Sequence, residues 1–431
     1  MKVFLLILSS FFFISNTFSQ TTFDIGIQFS PRFEQRRGYQ TLPPVKSKSA
    51  FFVSERARLN VGFRAKFVKL YVSLQDVRVW GDEGQALDVA GFGLHEGWAE
   101  LFINDSISFK LGRQELVYDD HRLLGNLDWV QQARSHDAAV FKFRHKGISI
   151  HVGGAFNQAS EGFFGTYYTI NNYKALAFIW YNHKFIDEKL KLSFYAVTDG
   201  FNADTSLHSK ERVLFRGTVG PLLTAKAKNF SANAALYVQF GKNTFNTDIL
   251  AYFAYVYADY TLAKKVTIGL GCDYLSGNNF SNTSNTHDNR FNTLYPTNHK
   301  FYGHMDYFLN IPKDTKGTGL INPYLRLSYM PCQTGKLTLD AHYFFTANKL
   351  KNPEISGKYL NRELGLELDL YGSYKPISYI EIKAGYSTMV ASTTSLEALS
   401  KVAGGSKKPF AGWGFIQINV NPTVFKWEKD K

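Results

Sequence analysis

The feature that most constrains the fold of this chain is a period-two alternation of apolar and polar residues, repeated along most of its length. Between residues 51 and 67, for example, Ala57, Leu59, Val61 and Phe63 alternate with polar residues or glycine. Such alternation is the signal of a β-strand with one apolar face. It recurs in 18 segments of the 431-residue chain. The segments lie near residues 23–33, 51–66, 67–80, 93–103, 106–116, 136–145, 148–158, 173–185, 189–200, 211–224, 229–241, 247–262, 265–277, 319–331, 336–347, 361–375, 377–390 and 409–425.

The connections between these segments also alternate, between short and long. Residues 104–105 and 146–147 are tight turns, whereas 117–135 and 278–318 are long and polar. Many segments have ten or more residues, the length that crosses a bilayer at a tilt. A soluble β-sandwich gives no such asymmetry of its connections. The pattern predicts an all-β fold: a transmembrane antiparallel β-barrel of about 18 strands with short periplasmic turns and long extracellular loops.

The N-terminus indicates export. MKVFLLILSSFFFISNTFSQ has a lysine, an apolar run from Val3 to Ile14 and small residues near its end, as in a secretory signal peptide cut before Gln20. The apolar run is too short for a membrane anchor. We therefore expect a signal peptide over residues 1–19, a barrel over residues 20–431, and a location in the bacterial outer membrane in contact with its lipid.

Composition narrows the classes of partner and cofactor. The net charge is +13, but Lys and Arg are spread along the chain, which argues against a nucleic-acid binder. Cys272 and Cys332 have no CxxC or metal-ligand spacing and are either unpaired or one disulfide. No metal and no cofactor is predicted.

Strict alternation assigns a set of charged residues to the lumen. If the apolar face meets lipid, Leu364, Leu366, Leu368 and Leu370 face outward. The charged residues of the opposite parity are Arg56, Arg58 and Arg64 in the second segment, Lys142 and Arg144 in the sixth, Arg326 in the fourteenth, and Glu363, Glu367 and Asp369 in the sixteenth.

This charge distribution allows two interpretations. Stacked arginines repel one another and need carboxylates, water or an anionic solute as compensation. They either form a structural ion-pair network across the lumen or an electropositive constriction that favours anions. Both interpretations remain open from the residues alone.

Three stretches resemble the alginate-export family of outer-membrane porins. The first stretch, Gly112–Asp137, contains GRQEL followed by a tyrosine, then D-x-R-L-x-G and Trp129. The second stretch is LYPTNHKFYGHMD, Leu294–Asp306, and the third is QDVRVWG, Gln75–Gly81. The resemblance implies an 18-stranded barrel through which an anionic small molecule or polysaccharide passes passively, with loops folded over the mouth. Asp119 and His136 depart from the family pattern.

By matching position, the resemblance implies that Arg78, Arg113, Arg122 and Arg134 line the constriction. Strict alternation turns Arg113 outward instead. Either a bulge at Gly112 turns it inward, or it lies at the upper rim.

The same residues bear on other functions. The chain has no HExxH, GxSxG or P-loop, so no enzyme is expected, although a barrel hydrolase remains an alternative. The run Asp119–His121 could supply a general base and the histidines 95, 299 and 304 a metal site, but neither spacing matches a known centre. An adhesive or structural barrel with a plugged lumen would show the same strands. The sequence does not identify a periplasmic partner.

Overall fold

The computed structural model describes residues 21–87, 89–166, 168, 172–203, 212–281, 286–405 and 410–429. The predicted signal peptide, residues 1–19, lies outside this part of the chain. Twenty strand segments of the described residues form a single antiparallel sheet. They are β1 Thr21–Phe29, β2 Arg32–Arg37, β3 Ala50–Ala65, β4 Val68–Val79, β5 Gly93–Phe102, β6 Ile107–Gln114, β7 His136–His145, β8 Ile148–Phe156, β9 Ala175–Phe185, β10 Leu190–Asn202, β11 Val213–Lys226, β12 Phe230–Lys242, β13 Asp248–Leu262, β14 Val266–Leu275, β15 Leu320–Cys332, β16 Gly335–Thr346, β17 Glu363–Ile377, β18 Ile380–Ala391, β19 Phe410–Val420 and β20 Thr423–Lys429.

The twenty segments make 18 barrel strands, because proline interrupts the first and the last strand. Pro31 separates β1 from β2, and Pro422 separates β19 from β20. Proline has no N–H to donate to the ladder. Its carbonyl still accepts, since Ile27 donates its N–H to Pro422 (3.1 Å) and Ile418 donates to Pro31 (3.1 Å). The predicted strand number is therefore confirmed.

Pairing of the first strand with the last closes the barrel. β1 pairs with β20 from Thr21, opposite Lys429, and β2 pairs with β19. Each strand otherwise pairs with the next one along the chain. Closure leaves the sheet of the described residues without an edge of unpaired backbone groups, which is what a strand-built membrane protein requires.

The two faces of the wall differ as the alternation predicts. Along β15 and β16, Leu327 and Leu339 are exposed on the outside, whereas Ser328 and Asp340 are buried inside. An apolar outer face around a polar interior is the arrangement of outer-membrane barrels. Helical structure in the described residues is confined to the short helices α1 Ile311–Asp314 and α2 Thr393–Ala398 and to 3-10 turns at Asn298–Lys300 and Ala403–Gly405. None of these is long and apolar enough to cross a membrane.

Two long connections form a core inside the barrel. We call residues 115–135, between β6 and β7, the inner loop, and residues 276–319, between β14 and β15, the long loop. Leu124 of the inner loop and Phe291 and Phe308 of the long loop are completely buried. The main apolar core of the described residues is therefore within the lumen, packed between the loops and the inner wall.

Candidate functional site

The inner loop and the long loop pair with each other across the lumen. Leu124 and Tyr295 form a parallel β-bridge, with N–H to carbonyl bonds of 2.8 and 2.9 Å on either side of it. Thr297 accepts a further bond of 3.0 Å from the Leu127 N–H. These bonds join residues about 170 positions apart. The two loops thus form one constriction across the barrel.

Arginines of the first two barrel strands hold the tip of the inner loop. Arg56 is buried and donates to the carbonyls of Asp128 (2.8 Å), Val130 (2.9 Å) and Gln131 (2.6 Å). It also forms an ion pair of 2.6 Å with the Asp128 carboxylate. The planar guanidinium makes these four contacts with five fixed N–H donors, whereas a lysine has three. Arg56 therefore faces the lumen, as predicted, and fixes the loop.

Arg32 supports the same tip from the neighbouring strand. Its guanidinium donates to the Trp129 carbonyl (2.6 Å) and lies 4.1 Å from the centre of the Trp129 ring. Arg32 was missed by sequence reasoning, although its alternation with the outward Phe33 was a signal for it.

Arg122 anchors the other side of the inner loop. It is buried between two carboxylates, with Asp273 at 2.9 Å and Asp120 at 3.3 Å. The rings of Tyr255 and Phe301 each lie 4.0 Å from its guanidinium carbon. Burial alone would disfavour the charge, but the Asp273 carboxylate raises the pKa of Arg122 well above its usual value. Arg122 lies inside the barrel, as the family position implied.

Arg134 lies inside as well, but its partners are carbonyls. It donates to the carbonyls of Pro296 (2.9 Å) and Gly125 (3.5 Å). Burial lowers its pKa to about 10. Arg134 thus links the end of the inner loop to the long loop.

The inward position that the family resemblance implied for Arg78 and Arg113 is wrong, and Arg113 takes the alternative position at the rim. Arg113 pairs with Asp137 on the outer face (3.0 Å), and β6 has no register shift at Gly112 that would turn it inward. Arg78 is likewise outside, paired with Asp76 (2.6 Å) at the end of β4. Strand parity decided both positions, so these two arginines lie at the outer rim and not in the constriction.

Glu363 is also placed differently from the expectation. The register of β16 and β17 shifts next to Gly365, whose φ is +137°. This bulge reverses the parity of the residues before it. Leu364 is therefore completely buried instead of facing lipid, and Glu363 accepts a hydrogen bond from Tyr343 on the outward-facing side of β16.

The remaining predicted charges face the lumen, and most have partners. Arg326 pairs with Asp340 (2.6 Å) and Lys142 with Glu100 (3.0 Å). Arg58 donates to Gln75 (3.0 Å). Nearer the short turns, Arg64 lies over the Phe102 ring at 5.2 Å, while Arg144 is exposed. Glu367 and Asp369 contact the long loop. The ion-pair interpretation of the lumen thus describes many of these charges.

Between the constriction and the short-turn end lies a vestibule of about 600 Å³. The rings of Trp129, His299, His304 and Tyr371 form part of its wall, and Trp129 and His299 stack with centres 4.0 Å apart. The charged residues that line it are the cations Arg56, Lys300, Arg326, Lys336, Lys375 and Lys383 and the carboxylates Asp128 and Glu381. The four lysines were not among the predicted site residues. Parity was a signal for Lys336, which alternates with Leu337, and for Lys383, which alternates with Ile382.

One group of the described residues has metal-ligand geometry. Ligand atoms of His95, Glu96 and Glu115 lie within 4.8 Å of one another. His95 is 2.9 Å from Glu115, and the cations Arg58 and Lys110 interact electrostatically with the two carboxylates. These cations offset the negative charge, so the group is sufficiently explained as part of the ion-paired wall.

The run Asp119–His121 anchors the inner loop. Asp119 accepts bonds from Trp180 (2.8 Å) and Ser193 (2.8 Å), and burial raises its pKa. Asp120 accepts from the Tyr255 hydroxyl. Burial and the nearby Lys300 lower the pKa of His121. Each carboxylate is engaged in fixing the loop against the wall.

The other candidate histidines and the two cysteines have simple environments. His299 bonds to Asp306 (2.7 Å) and stacks on His304 with ring centres 4.8 Å apart. Cys272 and Cys332 are both free thiols.

Comparison with known proteins identifies the fold. No family model matches the chain, and no curated protein sequence matches it significantly. Among solved structures, OccAB1 of Acinetobacter baumannii is similar with a TM-score of 0.62 at 12% identity, covering 94% of this chain and 97% of that one. OpdK of Pseudomonas aeruginosa with vanillate has a TM-score of 0.58 at 10% identity, covering 94% and 99%. OccAB4 of A. baumannii has a TM-score of 0.61 at 13% identity, covering 96% and 100%.

At these identities the likeness establishes the fold. The matched proteins span nearly the whole barrel, so the agreement includes the closure of the wall and is not limited to a few hairpins. With its apolar outer face, the chain is an 18-stranded β-barrel of the bacterial outer membrane, folded like the Occ and Opd barrels.

Proposed function

We propose that this protein is a porin that passes small anionic solutes passively across the outer membrane. The observation that carries the proposal is the excess of cations around the vestibule. Six cationic side chains line it, against two carboxylates. Clefts lined by one sign of charge focus the field and concentrate counter-ions.

The lysines of the vestibule are less fully bonded to protein groups than the arginine that holds the inner loop. Arg56 is committed to Asp128 and to loop carbonyls. Lys375 and Lys383 share a single carboxylate, Glu381. Lys336 is exposed and has no ion pair among the described residues. The lysines near the short turns therefore supply the net positive potential that an anion would meet.

The size of the vestibule favours small solutes. Its volume of about 600 Å³ suits a small organic anion better than a polymer. OpdK, which has the same fold, was solved with vanillate, an organic anion. Alginate export, which the sequence resemblance implied, is a narrower form of the proposal and would need a continuous path for a chain through the paired loops.

A plugged structural or adhesive barrel is the second candidate. The apolar core that the inner and long loops form in the lumen favours it. Liposome swelling with the purified protein separates the two: a porin admits small anions faster than uncharged solutes of the same size. A plugged barrel admits neither.

A further inference from the structure

Two carboxylates lie side by side on the inner face of β17 without a cation. Glu367 and Asp369 are 0% and 1% exposed. They are two positions apart on the same face of the strand, opposite His342 and Asp340 of β16. Neither forms an ion pair with any residue in the described part of the chain.

The pair holds one segment of the long loop. The Met305 N–H donates to Glu367 Oε1 (2.6 Å), and the His304 N–H donates to Asp369 Oδ2 (3.3 Å). The other two oxygens, Glu367 Oε2 and Asp369 Oδ1, are buried and receive no hydrogen bond from the described residues. His304 also lines the vestibule, so this contact sets the position of the constriction.

The groups around the pair do not neutralise it. Asp340 is already bonded to Arg326 at 2.6 Å. His342 Nδ1 donates to the Asn322 amide oxygen (3.0 Å), and β18 contributes the uncharged Ser387 and Met389 opposite the pair. The titratable and charged groups that face the pair are Asp340 and His342 of β16, Tyr371 of β17, Arg326 of β15, and His299, His304, Asp306 and Tyr307 of the long loop.

Two ionised carboxylates side by side and out of water would carry a large desolvation and repulsion cost. A metal ion would need more ligands. The three-ligand group found among the described residues, at His95, is elsewhere in the barrel. A single proton resolves the problem, because a carboxylic acid can donate to the neighbouring carboxylate and so satisfy both bare oxygens at once.

We propose that Glu367 and Asp369 share one proton and act as positioning residues that hold the His304–Met305 segment of the long loop in the constriction. The inference rests on the proposed function only where it concerns flow through the pore. In alkaline solution, hydroxide takes the shared proton and becomes water, which leaves two carboxylate anions that repel each other. The loop then detaches from the wall and the constriction widens.

The direct test is infrared spectroscopy of the whole purified protein at neutral pH. The difference spectrum between wild type and Glu367→Gln should contain the C=O stretch of a protonated carboxylic acid. Gln keeps the acceptor for Met305 and donates its own N–H to Asp369, so the variant should fold. Asp369→Asn should lose the same band, and the matched control Glu381→Gln, at an ion-paired carboxylate of the vestibule, should keep it. Superimposable spectra of wild type and Glu367→Gln would overturn the proposal.

Protection of the loop from hydrogen exchange gives a second, independent readout. Above the midpoint of proton loss, the fraction of molecules with the loop attached should fall about tenfold per pH unit in wild type and stay flat in Glu367→Gln. A pH-independent loop in wild type would contradict the shared proton. Both measurements work on a protein that conducts nothing, so a failure of the porin proposal is distinguishable from a failure of this one.

Discussion

At the scale of single residues, strand position decides what an inward charge does. Arg56 and Arg64 lie on the same face of β3, yet Arg56 is buried under the inner loop and Arg64 is exposed near the short turns. Identical alternation in the sequence thus predicts the direction of both side chains. It does not predict that one of them becomes the anchor of a loop whose residues lie about 70 positions away.

Arg56→Ala should destabilise the barrel by roughly 3 kcal/mol, because it leaves the Asp128 carboxylate and three loop carbonyls without their donor. Unfolding in detergent, followed by tryptophan fluorescence, measures the change. Arg64→Ala is the matched control and should change the free energy of unfolding little. Equal effects of the two substitutions would contradict the anchoring role.

His304 should make the long loop sensitive to acid. Burial lowers its pKa to about 4, despite the nearby Asp369, against about 6.5 in an unfolded chain. Below pH 6.5 the unfolded state binds more protons at His304 than the folded state does. The contribution of the neutral His304 to stability is therefore fully present above pH 6.5 and is lost as the pH falls toward 4. Limited proteolysis of the loop across this range should show the loss in wild type and a smaller one in His304→Phe. A steeper loss in the variant would contradict the assignment.

At the scale of elements, the strands were predictable because alternation is a local property of the sequence. Bulges were not, since a register shift depends on the partner strand. The bulge at Gly365 reverses the direction of the side chains before it, so the predicted positions of Glu363 and Leu364 were wrong. Matching by family position failed at Arg78 and Arg113, where parity places both side chains outside.

Gly365→Ala tests the bulge. The glycine has a φ of +137°, and an added Cβ would lie 2.5 Å from the Val390 carbonyl oxygen. We expect a loss of about 1–3 kcal/mol in the free energy of unfolding. Gly154→Ala is the control, since its Cβ would lie 3.6 Å from the Leu176 carbonyl oxygen, an ordinary van der Waals contact. If the two variants were equally stable, the bulge would not require glycine.

At the scale of the whole molecule, the barrel wall encloses an interior that is formed by its own loops. The inner and long loops pair with each other and with both sides of the wall, and the vestibule remains beneath them. The sequence predicted the wall and the charge of the lumen, and the family resemblance implied loops folded over the mouth. The pairing of the two loops depends on contacts between residues about 170 positions apart, which alternation and composition do not encode.

The ion selectivity of the purified protein in planar bilayers tests the central claim most directly. A salt gradient across the bilayer gives a reversal potential whose sign reports whether anions or cations pass. Wild type should prefer anions, and Lys336→Gln/Lys383→Gln should reduce that preference, most clearly at low ionic strength where screening is weak. An exposed lysine outside the vestibule, Lys146, changed to Gln, should leave it unchanged. A preference for cations in wild type would contradict the account.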